Sequence, residues 1–248
     1  MNPWLPAYLL PVGAGVALAL SFPVASHIRE KSLRSQYYFL QGITLLGAVF
    51  GAKISVLLGD YHWPWTPVND WGSVLWSGRS ITGALIFGFL FAEIAKPMIG
   101  YTMPPNDRFA TLLPFTIGIG RVGCLIAGCC GGLPYDGWCS MRGADGTSRY
   151  PTQVMEMIFQ LAVGALFLVL LKRQILFGRL FSLYLIIYGV FRFLTEFIRD
   201  TPKFFGGFSG YQVMSLVMIV LGAAFLLKRT MAQPASWNQF RPEATPMT

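Results

Sequence analysis

The residues of this sequence best suited to chemistry lie in the glycine-rich stretch 118–132, which places an arginine and three cysteines in an apolar run. An arginine within a membrane-spanning helix costs roughly 2.5 kcal/mol or more unless it faces a protein interior, a water-filled cavity or an anionic ligand. Arg121 is therefore a candidate for binding an anion. Gly120 and Gly123 beside it would let another helix or a lipid headgroup approach the backbone closely.

The chain has four cysteines, Cys124, Cys129, Cys130 and Cys139. Their spacing matches no common zinc pattern, in which paired ligands are usually two to four residues apart, so we expect no metal site. In an oxidising compartment Cys139 is able to pair with Cys129 or Cys130, although the sequence does not assign a disulfide. Cys124 is typical of a small residue at a tight helix contact. For the adjacent cysteines a low-pKa thiolate beside Arg121 stays open.

A second polar set, Tyr188, Arg192, Glu196 and Arg199, recurs at helical spacing and would stack along one helix face. One interpretation is an Arg192–Glu196 ion pair that joins helices. We favour a functional one, because intramembrane charges are by default functional candidates. Two arginines can grip a phosphodiester through forked, charge-assisted hydrogen bonds.

A third polar set opens the following apolar window, where Gln153 and Glu156 share a helix face after Pro151 and Thr152. Pro151 is suited to a helix start and Thr152 is a weak capping residue. Their plain role would be to cap the helix. The run is nevertheless too polar for a purely lipid-facing start, so Gln153 and Glu156 join the candidate site.

These residues must be positioned by membrane-spanning helices. Hydrophobic residues make up 54% of the 248 and charged residues only 12%, whereas soluble domains have roughly 25% charged residues. The sequence predicts an all-α, polytopic membrane protein of about seven transmembrane helices, with one helical membrane domain over 1–229 and a polar cytoplasmic tail over 230–248. The apolar windows are 6–26, 38–58, 81–103, 109–129, 153–171, 180–198 and 211–227.

The basic residues predict the orientation. They concentrate in the connectors after the first, third and fifth windows and after the last one, which places these on the cytoplasmic side. The prediction is an N-out, C-in topology. The net charge of +8 then reflects contact with anionic lipid rather than with nucleic acid.

The three polar sets resemble the prolipoprotein diacylglyceryl transferase family in order and approximate distance. The motifs are Gly120-Arg121-Val122-Gly123, Pro151-Thr152-Gln153 with Glu156, and the run from Arg192 to Arg199. With weaker matches in the second and third windows, the resemblance covers roughly residues 40–200. It implies a transferase of the bacterial inner membrane that moves the diacylglyceryl group of phosphatidylglycerol onto the lipobox cysteine of a prolipoprotein. It also implies a site toward the periplasm, the prolipoprotein signal-peptide region as a partner, and no cofactor.

The resemblance also implies residue roles. Arg121 and Arg192 would bind and polarise the phosphate and, with Glu196, form the catalytic set. Tyr188 and Arg199 would support it.

The remaining residues that we assign to substrate binding are Gly120, Gly123, Gln153, Glu156, Cys124, Cys129 and Thr82. The sequence departs from the family pattern at the last three of these. Cys124 and Cys129 stand where the family usually has Asn and Glu, and Thr82 stands where it has a characteristic histidine. The resemblance is thus to a cysteine-rich, Gly-Cys-Cys-Gly branch. The prediction therefore covers two cases: a transferase that acts on prolipoproteins, and a close paralogue that transfers the diacylglyceryl group to another acceptor.

Two other classes of protein stay open. A transporter of a lipid or small molecule would have broken helices and a midplane site, for which Pro114 and the glycines of the fourth window are suited. An envelope thiol redox protein would use Cys129, Cys130 and Cys139.

Overall fold

The computed structural model describes residues 31–61, 64, 67–68, 71–72, 80–104, 107–203 and 206–231. Within them six helices are long and apolar enough to cross a membrane. They are α1 (Lys31–Gly59), α2 (Ile81–Met98), α3 (Asp107–Ile126), α4 (Thr152–Lys172), α5 (Leu180–Thr195), which a 3-10 turn extends (Glu196–Ile198), and α6 (Gly210–Met231). A short antiparallel hairpin, β1 (Met141–Arg142) and β2 (Ser148–Arg149), lies between α3 and α4.

The prediction of an all-α, polytopic membrane protein is confirmed. The six helices coincide with six of the predicted windows to within a few residues at most ends, and α6 continues to Met231. The window 6–26 and most of the tail 230–248 lie outside the described residues. The seventh span, the orientation and the domain boundaries stay predictions.

The helices pack as consecutive pairs, α1 with α2, α3 with α4, and α5 with α6. Small residues bring the backbones of α1 and α2 together, since a Cβ atom on Gly51 would lie 2.3 Å from the carbonyl oxygen of Gly83. Close backbone approach at glycines is a main source of helix association in membranes, where burial of apolar surface drives little.

Gly51→Ala is therefore expected to lower the thermal unfolding midpoint of the detergent-solubilised protein. The added methyl group meets backbone that cannot move aside as a side chain would, so the cost should reach or exceed the usual 1–3 kcal/mol, roughly, of overpacking. Gly42→Ala on the same helix is the matched control, because a Cβ atom there meets nothing within 4 Å. Equal midpoints for the two variants would contradict the close α1–α2 contact.

Two charged residues, Asp107 and Arg229, form a clamp that holds the start of α5, at the end of the bundle opposite the candidate site. The Asp107 carboxylate at the start of α3 accepts hydrogen bonds from the backbone N–H groups of Gly178 and Leu180, where α5 begins. On α6, Arg229 donates to Ser182 Oγ at 3.0 Å and to Glu93 Oε1 at 2.7 Å. The clamp thereby fixes the position of α5 along its axis.

The candidate residues lie at the other end of the bundle, where α3 and α5 end and α4 and α6 begin. The connector between α3 and α4 covers this end: Gly132 N–H donates to the Tyr150 carbonyl and Leu133 N–H to the Ile198 carbonyl, both at 2.8 Å. Gly132 is required there, because a Cβ atom would lie 2.3 Å from the Ile198 oxygen.

The broken helix that a transporter would have in the fourth window is not found. α3 is helical from Asp107 to Ile126, through Pro114 and the glycines that follow it. Neighbouring helices often accommodate proline within a membrane helix.

Candidate functional site

The α3 helix ends in a tight reversal that positions the cysteines. Gly128 has φ +61°, its N–H donates to the Leu125 carbonyl, and the Cys129 N–H reaches back to the Cys124 carbonyl at 3.1 Å. This pair of bonds is the Schellman ending, which requires a left-handed residue and favours glycine. The reversal brings Cys129 and the next residue back over the last turn of α3.

Glu156, on α4, is the centre of a buried ion-pair cluster. One carboxylate oxygen lies 2.7 Å from Arg121 Nη2 and 3.3 Å from Arg192 Nη1, and the other accepts a hydrogen bond from Tyr188 at 2.6 Å. Its side chain is 1% exposed. An unpaired charge this deeply buried would be costly, so the two arginines and Glu156 hold one another in place.

Glu196 forms the second half of the cluster. One of its oxygens lies 3.4 Å from Arg192 Nη2, and the other accepts hydrogen bonds from Thr201 at 2.6 Å and Ser209 at 3.1 Å. Lys203 donates to the backbone carbonyl of Glu196. Arg192 therefore bridges Glu156 and Glu196, and the intramembrane Arg192–Glu196 ion pair exists within a larger network.

The stacking of Tyr188, Arg192, Glu196 and Arg199 on one straight α-helical face is only partly found. The α-helix ends at Thr195, a 3-10 turn follows, and Arg199 is already in extended conformation. Arg199 Nε still lies 3.4 Å from Glu196 Oε2, without hydrogen-bond geometry.

Several arginine donors in this cluster are buried and have no hydrogen-bond partner. They are Arg121 Nε and both Nε and Nη1 of Arg199. Buried polar groups are nearly always paired, so such exceptions call for an explanation. These N–H groups are suited to an oxyanion.

A cavity of about 340 Å³ adjoins the cluster and is lined by Cys130, Arg149, Arg199 and Asp200 among others. Its rim is held by Arg149, which pairs with Asp145 at 2.9 Å and Asp200 at 2.8 Å. The hydrogen bond from Arg149 lowers the pKa of Asp145 to about 2. Cys130 and Arg199 thus line one space together.

Three thiols meet beside the arginine cluster. The sulfur atoms of Cys124, Cys129 and Cys130 all lie within 4.8 Å of one another, and Arg121 Nη1 lies 3.7 Å from Cys124 Sγ. A hydrogen bond from Cys124 and the nearby charge of Arg121 lower the pKa of Cys130 to about 5, against the opposing effect of burial. Spacing along the chain did not anticipate this grouping. Cys139 is a free thiol outside it, and all four cysteines are unpaired.

Cys130 is held in a conformation that few non-glycine residues adopt, with φ +63°. Its carbonyl oxygen accepts a hydrogen bond from Thr152 Oγ1 at 2.7 Å, so Thr152 serves the connector and makes no side-chain cap on its helix. Backbone strain of this kind clusters at functional sites.

The remaining predicted residues are placed as follows. Gln153 is buried, and its carbonyl oxygen has no partner. A Cβ atom on Gly120 would meet nothing within 4 Å, whereas Gly123 is buried in α3. Thr82 lies in a hydroxyl cluster with Ser80 and Ser55, and no hydrogen bond or ion pair joins that cluster to the arginines among the residues described.

Sequence reasoning missed several members of the site. The sequence assigns no substrate-binding role to Cys130, although it assigns one to the neighbouring Cys129. Thr201 and Ser209 carry no sequence signal because they lie in a connector and at a helix start. Gln160, one turn after Glu156, accepts a hydrogen bond from Tyr184 at 2.9 Å. Its four-residue spacing from Glu156 could have revealed it.

Comparisons with known proteins agree with the motifs. A family described as "Prolipoprotein diacylglyceryl transferase" matches residues 6–228. A Clostridium tetani protein named phosphatidylglycerol–prolipoprotein diacylglyceryl transferase is 28% identical over 229 residues, 85% of this chain and 90% of the relative. A Polynucleobacter asymbioticus protein of that name is 31% identical over 197 residues, 75% of this chain and 74% of the relative. A Clostridium perfringens protein named phosphatidylglycerol–prolipoprotein diacylglyceryl transferase 2 is 29% identical over 199 residues, 74% of this chain and 75% of the relative. The chain therefore belongs to the prolipoprotein diacylglyceryl transferase family.

Proposed function

We propose that this protein transfers the diacylglyceryl group of phosphatidylglycerol to the cysteine thiol of a prolipoprotein and releases glycerol phosphate. The observation that carries the proposal is the set of buried nitrogen donors without a hydrogen-bond partner on Arg121 and Arg199. Arg199 also lines a cavity at one end of the bundle. A phosphodiester oxygen is an acceptor that would satisfy these donors.

The reaction displaces a phosphate leaving group from an sp3 carbon, so negative charge grows on the phosphate oxygen as the bond breaks. Donors that are already fixed stabilise such charge most effectively. Arg121 and Arg192 are fixed because both are ion-paired to Glu156. We assign them to the phosphate, with Glu196 as the carboxylate that orients Arg192.

The supporting roles follow from the same contacts. Tyr188 holds Glu156 through its hydroxyl, and Arg199 lines the cavity and has two buried nitrogen donors without a hydrogen-bond partner. Gly120 leaves open space on α3, which we assign to the lipid. The other residues that we assign to substrate binding are Gly123, Gln153, Glu156, Thr82, Cys124 and Cys129.

We assign the site to the periplasmic side of the bacterial inner membrane. Support comes from the basic residues at the opposite end of the bundle, such as Lys31 and Lys228, because basic residues favour the cytoplasmic side. The prolipoprotein signal-peptide region would then reach the cavity from the periplasm, and 1–229 would form one membrane domain.

The test is incubation of the purified, detergent-solubilised protein with a lipobox peptide and phosphatidylglycerol labelled in its headgroup glycerol. We expect the peptide mass to rise by one diacylglyceryl group, with one labelled glycerol phosphate released per modified peptide. A peptide with serine in place of cysteine is the control and should stay unmodified.

The same assay separates the proposal from its alternatives. A transporter needs sealed compartments and forms no covalent product. Phosphatidylglycerol that is consumed while the peptide stays unmodified would indicate another acceptor. Absence of both product and lipid consumption would overturn the proposal.

A further inference from the structure

The cluster of Cys124, Cys129 and Cys130 has the composition and dimensions of a zinc site with one open position. Tetrahedral ligands at the usual Zn–S distance of about 2.3 Å have sulfur atoms about 3.8 Å apart. Cys129 Sγ and Cys130 Sγ are 3.6 Å apart, and all three sulfurs lie within 4.8 Å of one another. Bringing them onto one ion requires movements of about an ångström or less.

Three protein ligands and one exchangeable position are the usual composition of a catalytic zinc site, whereas structural sites have four protein ligands. Cys130 is exposed and lines the cavity shared with Arg199. The fourth coordination position would therefore face that cavity. A ligand arriving through that cavity would complete the coordination.

The surroundings suit thiolate ligands. Arg121 Nη1 lies 3.7 Å from Cys124 Sγ and offsets the negative charge of a thiolate. The opposite side of the same guanidinium contacts Glu156 at 2.7 Å. A metal held here would therefore adjoin Arg121, one of the two arginines that we assign to the phosphate.

The proposed reaction needs a group that turns the acceptor thiol into a thiolate. Glu156 and Glu196 are both engaged in ion pairs with arginines, so neither carboxylate is free to accept the proton. The Thr82 hydroxyl is a poor base as well. A zinc ion solves this problem because a thiol that coordinates it is deprotonated.

We propose that Cys124, Cys129 and Cys130 bind Zn²⁺ and that the acceptor thiol occupies the fourth position. The inference rests on the proposed function. The thiol loses its proton to water as it coordinates, and its sulfur then forms a bond to the glyceryl carbon. The bond from that carbon to the phosphate oxygen breaks with both electrons going to the oxygen. The thioether product is a neutral, weaker ligand and leaves.

The first experiment measures metal without reference to activity. The full chain is purified in detergent through a tag that contains no histidine, and its zinc is measured by elemental analysis. We expect about one zinc ion per chain, as in a single three-cysteine site. Cys129→Ser and Cys130→Ser should each weaken zinc binding by more than the roughly 10–100-fold that loss of an outer hydrogen-bond partner costs.

Cys139→Ser is the matched control, because this thiol lies outside the cluster, and it should retain the metal. Size-exclusion profiles and thermal unfolding confirm that each variant is folded. A wild-type protein without metal, a protein that carries copper, or a Cys129→Ser variant that binds zinc normally would overturn the zinc site.

The second experiment tests the open position. The protein is reconstituted with Co²⁺, whose thiolate charge-transfer absorption grows with the number of sulfur ligands. Addition of the lipobox peptide should increase this absorption, and the serine peptide should leave it unchanged. An unchanged spectrum with the cysteine peptide would overturn the activating role.

The two proposals fail separately. Transfer by a metal-free protein would overturn the zinc inference and leave the proposed function standing. A protein that binds zinc through the three cysteines but transfers nothing would overturn the proposed function instead.

Discussion

Replacing Arg121 with lysine is expected to reduce the rate of diacylglyceryl transfer by about 10²–10³-fold, the usual cost of removing one fixed donor to a developing oxyanion. Lysine keeps the positive charge and loses the planar fork. Arg121 uses that fork to contact Glu156 and Cys124 at once and still directs its buried Nε toward no protein acceptor. The measurement is the initial rate of peptide modification at saturating phosphatidylglycerol.

The control for this variant is Arg108→Lys. Arg108 lies in the first turn of the same helix, about 20 Å from Arg121 along the helix axis. The Arg108→Lys variant should transfer the diacylglyceryl group at the wild-type rate. If Arg121→Lys also transferred at that rate, a positive charge alone would suffice, and the assignment of a fixed arginine N–H donor to the phosphate would be wrong.

Glu156→Gln is expected to cause the largest loss of stability, about 3–5 kcal/mol, which is typical when one member of a buried ion pair is removed. The carboxylate neutralises Arg121 and Arg192 together. Without it Arg121 would lose its carboxylate partner, and Arg192 would keep only Glu196. Unfolding of the purified protein monitored by circular dichroism in a denaturing-detergent titration gives the free-energy difference.

Two further variants show whether that loss comes from charge. Tyr188→Phe removes one hydrogen bond to Glu156 and should cost only about 1 kcal/mol. Adding Arg121→Gln to Glu156→Gln should cost less than the sum of the single variants, because it removes one uncompensated charge. Strict additivity would show that Glu156 and Arg121 are not energetically coupled.

The sequence predicted the helices well because the membrane imposes a simple rule. A span must be about 20 apolar residues long and must satisfy its own backbone hydrogen bonds. Local composition is therefore enough to locate α1 to α6. The rarity of charge in such spans also singled out Arg121, Arg192 and Glu196, since a charged residue stands out against an apolar background.

Some assignments depended on contacts between distant parts of the chain. The sequence places Glu156 in the candidate site without indicating its position there. Glu156 is the centre of the cluster because α3 and α5 place an arginine on each side of it. Thr201 and Ser209 donate hydrogen bonds to Glu196, and both lie in segments with no distinctive sequence pattern. Tertiary packing alone brings such residues together.

The amino-acid sequence by itself determined the membrane class, six helical spans and the charged residues of the site, because hydrophobicity and the cost of buried charge act locally. Only the tertiary structure decided how those charges pair and that three cysteines share one place. The spacing of Cys124, Cys129 and Cys130 argued against a common ligand. The left-handed turn at Gly128 and the strained backbone at Cys130 bring their sulfur atoms together nonetheless, since a helix ending can reverse the chain within a few residues.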